Sequence, residues 1–216
     1  MPSDNGRLPT LTAEGLACRR GNRVLFKGVG FQVAAGQAVW LRGRNGRGKT
    51  SLLRLAAGLA APEAGTIAWN GVPVRKATGL ARRMVYVAHA SALKDDLSVT
   101  EALGFLAVLH GRECDLATLH RALDRVGMST RRDAPVRTLS QGQRRRTALA
   151  RLALESEASL WILDEPYDAL DVDGVACVNS LLHANLARGG SVLLTSHQAT
   201  GDSAPPMAVF DLDPFA

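Results

Sequence analysis

Gly43-Arg44-Asn45-Gly46-Arg47-Gly48-Lys49-Thr50 fits the spacing Gly-x-x-x-x-Gly-Lys-Thr. Glycines at this spacing let backbone N–H groups turn inward around phosphate oxygens. A helix starting at the end of the loop adds its partial positive charge. Lys49 is placed to reach the β and γ phosphates of a nucleotide, and the Thr50 hydroxyl to ligate Mg²⁺. Arg44, Asn45, Arg47 and Ser51 belong to the same nucleotide-binding stretch. A second element ends in acids: Leu160-Trp161-Ile162-Leu163-Asp164-Glu165. A buried strand delivers its last carboxylates to the C-terminal sheet edge, where nucleotides bind in open α/β sheets. Asp164 there holds Mg²⁺ through water, and Glu165 faces the γ phosphate and polarises an attacking water. The two elements together point to Mg²⁺-dependent hydrolysis of a nucleoside triphosphate.

The flanking pattern supplies the elements that must position these groups. Ala38 to Leu41 is a short continuous apolar run before the loop, and Thr50 to Leu59 places leucines at helical spacing after it. Leu11 to Ala17 and Val24 to Phe31 read as strands around turn residues Arg20-Gly21-Asn22. Thr66 to Trp69 reads as a strand ending in Asn70-Gly71, and Met84 to Ala88 as another strand. From about Ala90 the pattern turns helical, with apolar spacing over Glu101–His110 and Leu116–Val126. A long Arg- and Ala-rich helix is predicted from Ser140 to about Glu155, and a further helix over Val175–Ala187. Ser191 to Thr195 is a buried strand, Gln198 to Pro206 a loop, and Ala208 to Leu212 a final strand. Strands alternating with helices imply a mostly parallel sheet in an α/β fold.

The 216 residues bound one large domain or two small ones, and they need no disulfide or metal staple. No apolar run approaches the roughly 18 residues of a membrane-spanning helix, and the polar stretch Met1 to Thr10 lacks the apolar core of a secretory signal. A cytoplasmic protein is expected. The net charge is +6 and the pI about 9.8, which raises nucleic acid as a partner. The arginines are nevertheless dispersed, with no block of five like charges, so no nucleic-acid partner is expected. Cys18, Cys114 and Cys177 form no Cys-x-x-Cys pair and read as reduced thiols. His89, His110, His120, His183 and His197 form no paired haem motif.

Leu139-Ser140-Gln141-Gly142-Gln143 resembles the signature of the ABC ATPases, usually Leu-Ser-Gly-Gly-Gln. It lies upstream of the acidic strand, as in that family. Ala169-Leu170-Asp171 resembles its D-loop, and His197 after Thr195-Ser196 its switch histidine. The resemblance implies an ABC nucleotide-binding domain over residues 8–213: a RecA-like, mostly parallel sheet with N-terminal antiparallel strands. A helical subdomain of about residues 90–142 is inserted in that core. It implies ATP and Mg²⁺ as cofactors, and catalytic roles for Lys49, Glu165 and His197. Ser140 can simply cap the following helix. In the family, the same segment (here Ser140, Gln141, Gly142 and Gln143) meets the γ phosphate held by a second subunit, so a dimer with composite sites is implied. Two positions depart from the pattern. His89 stands where the family usually has a Mg²⁺-binding Gln, and Arg20 near where an adenine-stacking Tyr is common; Arg20 either stacks through its guanidinium or is solvated.

Several strings are similar to one branch of the family, the ATP-binding subunits of cytochrome c maturation. They include Gly48-Lys49-Thr50-Ser51-Leu52-Leu53-Arg54-Leu55, Gly142-Gln143-Arg144-Arg145-Arg146 and Leu160-Trp161-Ile162-Leu163-Asp164-Glu165-Pro166. That branch implies a peripheral protein on the cytoplasmic face of the bacterial inner membrane. Its ATP hydrolysis would drive haem export or release of a haem-loaded chaperone. Integral membrane subunits would dock on the helical subdomain and on Ala90–Leu97, and no direct haem binding is expected. Alternatives are a transporter ATPase for a lipid, drug or ion, and a non-transport ABC ATPase. A GTPase is disfavoured: Lys94-Asp95-Asp96 lacks the preceding Asn that reads guanine.

Overall fold

The computed structural model describes residues 10–77, 79–198 and 200–215. The polar N-terminal residues 1–9, the domain start expected at residue 8, and Ala199 of the loop before Pro206 lie outside these. The described chain opens with a hairpin, β1 (Leu11–Arg20) and β2 (Arg23–Val33), turning at Gly21-Asn22. β3 (Ala38–Arg42) and α1 (Lys49–Ala56) follow, separated by the glycine loop. β4 (Ala64–Trp69), β5 (Val72–Pro73), α2 (Leu80–Arg83) and β6 (Met84–Val87) come next. Then come α3 (Val99–Leu109), α4 (Leu116–Asp124) and α5 (Gln141–Leu149). β7 (Leu160–Leu163), α6 (Val172–Ala187), β8 (Ser191–Thr195) and β9 (Met207–Asp211) complete the order.

The strands form two sheets. One is antiparallel, in the order β2-β1-β4-β5; the other is parallel, in the order β6-β7-β8-β3-β9. The apolar run of β7 is continuous because both faces of this strand are covered. Leu160 and Ile162 enter the core shared with Leu11, Phe26 and Leu53, while Trp161 and Leu163 enter the opposite core with Leu103 and Leu123. All four are 0% exposed, and the Trp161 indole N–H donates to Ser159 Oγ at 2.8 Å. The parallel order brings the C-terminal ends of β3, β6, β7 and β8 to one edge. The chain segments that continue from these ends carry the glycine loop, His89, the two acids and His197.

Several helix limits differ from expectation, among them α3, which runs over Val99–Leu109, and α4, which stops at Asp124. α1 stops at Ala56 rather than Leu59, because Gly58 takes a left-handed φ of 69°. Leu59 N–H then bonds Arg54 O at 2.9 Å and Gly58 N–H bonds Leu55 O at 3.0 Å, closing the helix end. The helix after Ser140 is regular only to Leu149, and Ala150–Leu154 tightens into a 3-10 turn, a common way for a helix to finish. α6 starts earlier than expected, at Val172, because Asp171 Oδ1 accepts the Gly174 N–H at 2.9 Å as its cap.

The 3-10 turn carries Arg151 into a charged cluster against α3. His110 Nδ1–H donates to Leu106 O at 2.8 Å, leaving Nε2 as acceptor for Arg151 Nη2 at 2.6 Å. Beside it Arg112 forks onto the buried Glu155 at 2.5 and 3.3 Å. Burial pushes Arg151 down to about 10, opposed by Glu155. Burial first, and then the positive Arg151, hold His110 below its ordinary 6.5. The unfolded chain therefore takes up a proton near pH 6.5 that the folded chain refuses. Stability from this group is full above 6.5 and falls as the pH drops below it, until the lowered folded value is reached. Thermal midpoints are expected to decline between about pH 7.5 and 5.5. His110→Gln keeps an acceptor for Arg151 without titrating, so its decline should be shallower; identical slopes would refute the assignment.

Candidate active site

A cavity of about 680 Å³ opens at the shared strand edge. Asn45, Gly46, Gly48, Lys49, Thr50 and Ser51 of the loop and helix start line it together with Asp164, Glu165, His89 and His197. Arg20, Leu25 and Arg54 also line it. Gly43 and Arg44 instead line an adjoining cavity with Lys49 and His197. Arg47 turns to Asp213, with Nε 3.4 Å from Oδ1.

The loop is held at both ends. Arg44 N–H donates to Asp213 Oδ1 at 2.9 Å, so the chain just after β9 anchors the start of the loop. Gly48, at φ 95°, packs so closely on β2 that a Cβ would meet Leu25 Cβ at 3.0 Å. Lys49 is 9% exposed, and its ammonium donates to Gly43 O at 2.7 Å and, more weakly, to Arg44 O at 3.4 Å. The cation thus bridges the mouth of its own loop, beside backbone N–H groups that have left the β ladder. This arrangement suits a polyphosphate.

Asp164 is 2% exposed. Its Oδ1 accepts the Thr195 hydroxyl at 2.9 Å, while Oδ2 is buried with no hydrogen-bond partner among the described residues. The same Thr195 Oγ1 accepts the Glu165 N–H at 3.0 Å. Glu165 takes a left-handed φ of 52°, uncommon for a residue with a side chain. Its Oε2 accepts the His197 N–H at 2.8 Å, and its Oε1 lies 3.4 Å from His197 Nε2. The carboxylate is thereby aimed by the chain following β8. Burial first, and then the Asp164 charge, raise the Tyr86 phenol in the same cavity.

The signature residues do not join this cavity. Ser140, Gln141, Gly142 and Gln143 line a separate one of about 660 Å³ with Arg131, Arg146 and Asp171. Ser140 caps α5: its Oγ accepts the Gln143 N–H at 3.2 Å while Gln143 Oε1 accepts the Ser140 N–H at 3.1 Å. A Cβ on Gly142 would come 2.5 Å from Ala169 O, so this helix start abuts the segment leading to Asp171. Asp171 pairs with Arg146 and caps α6; the Gly174 N–H first, and then Arg146, hold its carboxyl below the usual range. Three side chains at the site escaped sequence reasoning. Thr195 is signalled only by a hydroxyl ending an apolar strand. Asp213 gives no sequence signal. Arg145 is hidden among three consecutive arginines.

A glycine loop between a buried strand and a helix, facing a buried Asp on a neighbouring parallel strand, defines a phosphate-loop nucleotide-binding protein. Within that class the chain belongs to the ABC transporter family, whose model matches residues 26–168. It has the ABC ATPase fold and the nucleotide-binding, ATP-hydrolysing domain of that family. It is similar to the cytochrome c biogenesis ATP-binding export protein CcmA of Aromatoleum aromaticum, 46% identical over 209 residues, covering 96% of this chain and 97% of the relative. The protein of the same name from Methylococcus capsulatus is 48% identical over 88% of this chain and 91% of the relative. Among solved structures, an ABC transporter ATP-binding protein from Pyrococcus furiosus superposes with a TM-score of 0.81 at 25% identity, covering 96% and 99% of the two chains.

Proposed function

We propose that this chain is the ATP-hydrolysing subunit of an ABC complex for cytochrome c maturation, powering haem export or release of a haem-loaded chaperone. The observation that carries the catalytic part is the convergence of Lys49, Asp164, Glu165 and His197 on one cavity. The cytochrome assignment is supported by relatives named for cytochrome c biogenesis over nearly the whole chain. The ATPase domain spans residues 8–213, with a helical subdomain of about residues 90–142.

In this reading Gly43, Arg44, Asn45, Gly46, Arg47, Gly48, Lys49, Thr50 and Ser51 bind the phosphates, and Arg20 borders the base. Glu165 orients and polarises the attacking water, and His197 steadies both the carboxylate and the terminal phosphate. The buried Asp164 Oδ2, without a hydrogen-bond partner among the described residues, is a fitting seat for a hard cation, with Thr50 and His89 lining the same cavity. Bound there, Mg²⁺ would offset the charge of the terminal phosphates. Ser140, Gln141, Gly142, Gln143 and Asp171 serve the site of a second copy, since in one chain they line a different cavity. Among the described residues no helix is long and apolar enough to cross a membrane. That fits a peripheral subunit, and we place it on the cytoplasmic face of the inner membrane. Integral membrane subunits would dock on the helical subdomain and Ala90–Leu97.

Deleting the gene should abolish c-type cytochromes while leaving b-type ones intact, read by haem staining and difference spectra. Unchanged c-type staining would eliminate the cytochrome reading and leave an ABC ATPase for other cargo.

A further inference from the structure

Arg145 is 5% exposed, and among the described residues its guanidinium donates hydrogen bonds to backbone carbonyls alone. Nη2 donates to Asp164 O at 2.6 Å and Glu165 O at 2.7 Å, Nη1 to Ala88 O at 2.8 Å and His89 O at 3.3 Å, and Nε to Pro166 O at 3.4 Å. A buried cation is costly to keep; the charges of Asp168, Asp164 and Glu165 offset its burial in part, and it uses the fixed fork of donors that only arginine has. Its acceptors lie on two chain segments. The β6–β7 ladder ends at Val87 and Leu163, followed by the Asp164 N–H bond to Val87 O at 2.8 Å. Beyond that point Arg145 hydrogen-bonds to both segments. One carries His89; the other carries Asp164 and Glu165, the latter in its left-handed conformation.

We propose that Arg145 is a positioning residue for hydrolysis: it fixes the backbone of Glu165 against that of His89, and so sets the aim of the Glu165 carboxylate. Arg145 sits on α5, five residues after Ser140, so any displacement of that helix is transmitted to Glu165 through one side chain. The inference rests on Glu165 being the water-polarising group.

The test compares Arg145→Gln and Arg145→Lys in the full chain within its membrane complex. Turnover should fall on the order of 10- to 100-fold in Arg145→Gln, as expected for a catalytic group displaced by a fraction of an ångström to 1 Å. KM for ATP should stay within about threefold. Lys, with three donors, should restore part of the loss. In the double variant with Glu165→Gln no further loss is expected, because Arg145 acts through that residue; a multiplicative loss would overturn the proposal. So would normal turnover in folded Arg145→Gln. If the Gln variant does not fold, Arg145→Lys decides, and failure of both to fold would make Arg145 a residue of the fold alone. Should Glu165→Gln itself turn over normally, the base assignment fails instead.

Discussion

Glu165→Gln is expected to bind ATP as wild type does and to lose hydrolysis by about 10²- to 10⁴-fold, the range assigned to a positioned general base. The substitution is nearly isosteric. Its carbonyl oxygen can still accept the His197 N–H that Glu165 Oε2 now accepts at 2.8 Å. The backbone bonds to Thr195 and Arg145 do not depend on the side chain. What disappears is the negative charge and proton affinity that polarise water. Binding held by Lys49 and the loop amides is untouched, so ATP should accumulate unhydrolysed. Because the signature cavity of one chain is separate from its own phosphate loop, trapped ATP should also hold two copies together. Light scattering with ATP and Mg²⁺ should report a dimer for the variant. Steady hydrolysis near the wild-type rate would remove Glu165 from the mechanism.

The parts of the site that were legible in the sequence are those in which one local stretch carries both the element and its chemistry. The glycine loop and the acid-ended β7 are of this kind. β7 is buried on both faces and wholly apolar, so Asp164 stands out at its end. Ser140 was legible as a cap for the same local reason. Arg145 was not. Successive helix positions point about 100° apart, so Arg144, Arg145 and Arg146 leave α5 in three directions. Arg144 pairs with Asp95 at 2.6 Å, Arg146 with Asp171, and only Arg145 turns inward. The string of letters is uniform; the environment of Arg145 is set by the segments that follow β6 and β7, 57 and 19 residues away. Asp213 was hidden for a similar reason: its partner Arg44 lies 169 residues distant and becomes a neighbour only when β9 pairs with β3. The regular helix expected up to Glu155 failed at a local choice that spacing does not encode, the tightening at Ala150–Leu154 that turns Arg151 toward His110.

Lys49→Ala is expected to weaken ATP binding while leaving the fold in place. In the chain as it stands the ammonium occupies two loop carbonyls, Gly43 O and Arg44 O. Both belong to a loop beside an open cavity, where water can replace the lysine, so little stability should be lost. The thermal midpoint without nucleotide should therefore barely move. With ATP the balance differs. A charge-assisted hydrogen bond contributes about 1.5–3 kcal/mol, and each ~1.4 kcal/mol is tenfold in affinity. Losing one or two such bonds to phosphate puts the deficit on the order of 10- to 100-fold or more. The amides of the loop and the start of α1 remain, so residual binding should persist. Lys49→Arg should not recover the full affinity, because the planar fork is bulkier than an ammonium packed to 9% exposure between Gly43 and the cavity wall. Titration with a fluorescent ATP analogue reads both variants. Lys49→Ala binding within about threefold of wild type would mean that the loop amides alone hold the phosphates and that the Lys49 contact to Gly43 O persists when nucleotide is bound.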